Sequence, residues 1–210
     1  MLSPAVVEQN RGRPENGVGG IVEAAAEFDD QVRTATLEAF ADTIIPGVKR
    51  GPDDRAIAGV CDDAGAVEAG ALELLNDPAT GVAPGLTPLS QALNAHATTY
   101  AQTHGRTLDE DVPPFVALDY DDRVALVAEL TAPGHPEQAG WVLLAMFSNM
   151  AYDSAAHRST AEAIADGHPG LLAMGFAEPD SDGLWRFPEY SYGQELAKRH
   201  PGTTASGSPS

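Results

Sequence analysis

The chain has 210 residues and a mass of 21.9 kDa, room for one domain or at most two small ones, with roughly 70% of the extended surface buried on folding. Its single cysteine, Cys61, excludes an internal disulfide and any multi-cysteine zinc or iron–sulfur site. Thirty-one acidic residues against twelve Lys and Arg give a formal charge of −19, which opposes binding to nucleic acid and to anionic membrane surfaces.

The first twenty residues carry no basic segment followed by an apolar stretch, and Gly12 separates Arg11 from Arg13. The expectation is a protein without an export signal, located in the cytoplasm. The longest apolar run, Trp141 to Phe147, is far shorter than the ~18–20 residues of a membrane span. No membrane insertion is expected. Residues 1–28 read as a flexible N-terminal arm, 29–195 as a helical domain and 196–210 as a disordered tail.

Within that domain the pattern is helix after helix. Leu37, Phe40, Ala41 and Ile44 share one face of a helix from about Asp30 to Ile45, which Pro46-Gly47 ends. Ile57, Cys61, Ala64, Val67, Ala71 and Leu75 make a stripe that predicts a second helix from about Asp54 to Leu75, with Gly65 and Gly70 tolerated through close packing. The third runs from Thr87-Pro88 to Gly105, which suits a left-handed helix end, with Leu89, Leu93, His96 and Tyr100 on one face. Asp119 caps a fourth helix whose apolar face reads as Tyr120, Val124, Val127 and Leu130. Glu137 to His157 reads as a central helix, apolar nearly all round from Trp141 to Met150 and therefore enclosed by the others. Ser159 and Glu162 have capping-box spacing before a short helix ended by Gly167. From Met174 to Gly193 the rings of Phe176, Trp185, Phe187, Tyr190 and Tyr192 have no sustained period and predict an ordered aromatic loop. The fold class is all-α: a single compact helical bundle with an ordered aromatic C-terminal loop and disordered ends.

Few residues carry chemistry. Asn149, Asp153 and His157 are spaced by four and project from one helix face, so Asp153 and His157 form either a structural hydrogen-bonded pair or the acid–base centre of a catalytic site. Further ligands for a metal would have to come from His135 or His168. His96 reads as a satisfied core histidine, with His104 on the same face, and Cys61 as a small buried hydrophobe. Trp185, Arg186, Phe187 and Tyr190 bring together the residue types that protein interfaces favour. No dinucleotide-binding, P-loop, metalloprotease or serine-hydrolase motif occurs in the sequence.

Residues 37–65 carry one further signal: Asp42, Ile44, Ile45 and Pro46, then Gly51, Pro52 and Asp53, then Ala58, Gly59 and Val60. This succession resembles the opening motif of the gluconate 2-dehydrogenase subunit 3 family. The resemblance implies a small helical accessory subunit beside a large FAD-dependent oxidoreductase of the glucose–methanol–choline class, with the FAD in the partner and no cofactor or metal of its own. The segments 147–157 and 183–193 also look like actinobacterial relatives that accompany oxidoreductases of specialised metabolism. Two alternatives stand beside this reading. One is a stand-alone enzyme acting on an aromatic or polyketide-like metabolite, using Asp153 and His157 with Tyr190 or Tyr192. The other is a structural or regulatory helical domain.

Overall fold

The structure is a computed structural model that describes residues 18–178, 180–181 and 201–203. The chain divides into a unit ending at Phe176 and a second from Ala177 to Ser210. Eight α-helices occur among the described residues, all in the first: α1 (Val18–Ile44), α2 (Ala71–Asn76), α3 (Leu86–His104), α4 (Pro114–Ala117), α5 (Tyr120–Thr131), α6 (Gln138–Ser154), α7 (Thr160–Ala165) and α8 (Pro169–Ala173). No β-strand occurs among the described residues, and no described helix is long and apolar enough to cross a membrane.

The helix α1 packs on α2 to α6, and α6 on α1, α2, α5 and α8. Their contact is aromatic: the Phe40 ring lies 6.4 Å from both Phe115 and Trp141. Leu37, Leu75, Leu93, Leu130 and Leu144 fill the space around these rings. The face predicted for α1 is the buried one at Leu37, Phe40 and Ala41, but the helix begins at Val18 rather than near Asp30. Gly105 ends α3 at φ 64° as its sequence predicts. However, α3 starts at Leu86 behind Gly85, so Thr87 does not cap it.

The predicted helix from Asp54 to Leu75 does not form. Only Ala71–Asn76 is α-helical, and residues 46–70 make an irregular loop closed by side chains and tight backbone contact. The reason lies at the end of α1. Asp42, only 1% exposed, accepts the Gly47 N–H on Oδ1 at 2.9 Å and the Ala58 N–H on Oδ2 at 2.8 Å. The backbone then closes on itself, with Val48 N–H donating to the Asp63 carbonyl and Ala66 N–H to that of Ile45. Gly47 and Gly65 meet backbone to backbone: a Cβ on Gly65 would stand 2.6 Å from the Gly47 nitrogen and 2.6 Å from the Ile45 carbonyl oxygen. Gly59 and Gly70 adopt φ of 71° and 92°, outside the range a helix accepts. Cys61 and Ala64, central to the supposed apolar stripe, are therefore half-buried loop residues.

Three other helices differ from their sequence reading. In α5 the buried face includes Asp122, Arg123, Leu126, Val127 and Leu130, while Val124 is exposed. The helix is turned to carry Arg123 inward, where Nε donates to the Leu118 carbonyl, Nη1 to Ala56, and Nη2 to Arg55 and Val116. Asp119 occupies the N-cap position without a side-chain capping bond. The α6 helix is not enclosed: Trp141, Leu144, Ser148 and Ala151 are buried, but Val142, Leu143 and Met146 are 44%, 37% and 44% exposed. Ser159 likewise heads α7 without the predicted capping bond.

Substituting Gly65→Ala is expected to cost at least about 1–3 kcal/mol in chemical denaturation, because the added methyl meets only backbone. Gly51→Ala, where a Cβ meets nothing within 4 Å, stays within about 0.5 kcal/mol of the parent. Leu144 is 2% exposed at the α6 core, so Leu144→Ala is expected to cost about 2–5 kcal/mol by the same measurement.

Candidate functional site

The predicted pairing of Asp153 with His157 requires a helix running through both, and α6 stops between them. Ser154 is its last residue, and Ala155 follows in a left-handed conformation at φ 47°. Asp153 instead accepts the Asn149 Nδ2–H at 2.7 Å. His157 swings across to α2, against Gly70. A Cβ on Gly70 would lie 2.5 Å from His157 Nε2 and 2.7 Å from Cε1, so only glycine leaves space for the ring.

This turn brings His157 beside His168, with ring centroids 6.4 Å apart. His168 is the N-cap of α8. Its Nδ1 accepts the Leu171 N–H at 3.3 Å and its Nε2 lies 2.9 Å from the Ala69 carbonyl. A ring nitrogen facing a carbonyl must carry the proton, so His168 is a neutral Nε2–H imidazole with both nitrogens committed. His157 is the opposite case: its Nδ1 is buried without a partner among the described residues. The two rings border an open cleft of about 380 Å³ whose other walls include Glu68, Glu73 and Asp166. Asp166 is held by Arg158.

Burial pushes the His157 pKa below its ordinary value, while the Glu73 carboxylate pulls the other way. The imidazole is thus a neutral base near pH 7. In a catalytic triad a third group orients the base through its second nitrogen. The bare Nδ1 supplies no such contact. His168 does come close to His157, but its nitrogens are spent on backbone groups. No cluster of three or more metal-ligating side chains occurs among the described residues.

The other histidines also depart from expectation. His96 is half-exposed rather than a core residue, with Nε2 2.6 Å from Glu137 Oε2 and its ring edge-on to His135 at 5.9 Å. Glu137 in turn accepts the Trp141 indole N–H at 3.4 Å. His104 stacks on Tyr100 at 4.0 Å. Cys61 Sγ accepts the Asp63 N–H within the loop, at 3.5 Å. Trp185, Arg186, Phe187, Tyr190 and Tyr192, and with them most of the predicted aromatic loop, lie outside the described residues. Sequence reasoning missed Gly70 and Glu73 because their part in the cleft follows from the unpredicted loop.

The lowered pKa of His157 fixes a sign. The folded state binds its proton less readily than the unfolded chain, so the stabilisation is complete above the unfolded value of about 6.5 and is lost as pH falls through the folded value below it. The imidazole Cε1–H of His157 is expected to titrate with a midpoint under 6.5 in an NMR titration. Replacing it by Gln is expected to shrink the fall in Tm between pH 7.5 and pH 5.

Residues 31–210 match a family model described as a family of unknown function, DUF5987. No curated protein and no solved structure matches the chain.

Proposed function

The chain belongs to DUF5987, a family of unknown function, and we propose that it serves as a non-catalytic accessory subunit of a flavin-dependent oxidoreductase, with the FAD held by the larger partner. The observation that carries this reading is the outer face of α6. Val142, Leu143 and Met146 stand exposed there on a helix whose other side is core. Adjacent exposed apolar side chains on a rigid helix favour an interface over solvent. A second copy of this chain is a poor occupant, because each copy brings the same −19 charge. A partner with an apolar patch and a basic rim fits better, and the acidic surface would steer it.

A second line of support comes from the residues that carry the family resemblance. Asp42 is consumed by two backbone amides, and Pro46 and Gly47 stand at the corner those bonds close. These residues build the loop, as befits a subunit whose task is shape. The aromatic segment with Trp185, Arg186, Phe187 and Tyr190 belongs to the same proposal as a further docking element.

The test is co-expression with a large flavoprotein oxidoreductase, taken from a neighbouring reading frame where one encodes it. The two are expected to co-elute with bound flavin, and the Val142→Asp/Met146→Glu double variant to weaken association at least about tenfold at unchanged Tm. Trp185→Ala and Arg186→Glu probe the aromatic segment in the same assay. A flavoprotein that stays equally soluble and active alone, with no binding by the unmutated chain, would remove the proposal.

A further inference from the structure

We propose that the cleft between the 46–66 loop and the start of α5 binds a small oxyanion, a carboxylate or phosphate group. This inference is independent of the accessory-subunit reading. Seven Lys and Arg side chains lie within residues 18–178. Arg33, Arg50, Arg55, Arg106 and Arg158 each hold a carboxylate. The other two, Lys49 and Arg123, make no ion pair among the described residues, and both line this one cleft. In a chain with 31 acidic residues, two cations that touch no carboxylate and line the same recess mark a place where an anion could make direct contact. Arg55 lines it as well, and Asp119 is its one acidic wall residue.

Arg123 is fixed, and the stem of the exposed Lys49 packs on the loop. Lys49 lies across Gly59, whose Cβ, if present, would stand 2.6 Å from Lys49 Cγ and 3.1 Å from Cδ and Cε. Gly59 adopts φ 71°, so glycine both permits the turn and leaves room for the lysine stem. Arg123 is 3% exposed and locked by four carbonyls. A guanidinium has five N–H groups, so one on Nη1 is left without an acceptor among the described residues. Burial pushes the Arg123 pKa below its ordinary value, while the Asp42 carboxylate raises it without touching it. A buried cation solvated mainly by carbonyl dipoles gains from a nearby anion. The cleft holds about 180 Å³, room for phosphate or a short organic acid. At physiological ionic strength the repulsion from distant acidic residues is screened beyond about 8 Å, so the balance is local: Lys49, Arg55 and Arg123 against Asp119 in the wall and the Asp42 and Asp54 charges that act on Arg123.

The proposal is tested by following ¹H–¹⁵N spectra of the full chain during titration with inorganic phosphate and, separately, succinate. Ionic strength is held constant with sodium chloride. Saturable shifts of the Ala58 and Tyr120 amides are expected with at least one of the two anions, and the pair tells phosphate from carboxylate preference. Lys49→Gln should weaken that binding about tenfold, while Lys49→Arg keeps it within about threefold. Shifts that never saturate with either anion, or that are the same in Lys49→Gln, would overturn it.

Discussion

The Asp42 carboxylate is the constraint on which the rest of the unit is arranged. It sits in the last turn of α1, inside the protein, where a carboxylate without hydrogen bonds costs several kcal/mol. Two backbone amides satisfy it, one from the corner just after the helix and one sixteen residues on. Burial pushes its pKa above the ordinary carboxylate value, against the pull of those amides and of Arg123. The bonds fix where the chain must travel after α1, and that path sets the entry of α2.

Arg123 answers Asp42 from the other side. The loop has no helix or strand to absorb its carbonyls, and buried carbonyls need donors. One guanidinium supplies them for Arg55, Ala56, Val116 and Leu118 together. It therefore ties the loop to the α4–α5 corner and dictates which face of α5 turns inward. An acid and a base that make no direct ion pair cooperate by dividing the backbone donors and acceptors between them.

Much of the helical framework was legible in the sequence because it rests on spacing. Leu37, Phe40 and Ala41 in α1, Leu93 and Tyr100 in α3, and Val127 and Leu130 in α5 are buried as their periods indicate. What failed did so for physical reasons. The stripe from Ile57 to Leu75 had helical spacing, but its glycines sit at positive φ or against backbone, and periodicity does not weigh them. The phase of α5 was misread because apolar patterns ignore a buried arginine. An apolar surround on α6 signalled a face left in the open, not enclosure. The candidate site was least legible. Four-residue spacing from Asp153 to His157 has meaning only on an unbroken helix, and the left-handed Ala155 breaks it. The approach of His157 to His168 depends on two turns of the chain that no local pattern announces.

The loop closed by Asp42 and Arg123 separates irregularity from freedom. Residues 46–66 bring glycine, proline and acids close together, the composition of a linker, although the stripe from Ile57 predicts a helix. Yet their amides and carbonyls are tied to residues as far as 68 positions away, and a glycine pair there touches backbone to backbone. Away from its open corner at Gly51, such a segment should resist proteases and reject inserted sequence as firmly as a helix does. For an engineer placing a tag or a circular break, a more permissive point lies in the exposed Pro133-Gly134 turn between α5 and α6, with Gly134 itself, at φ 92°, kept as glycine.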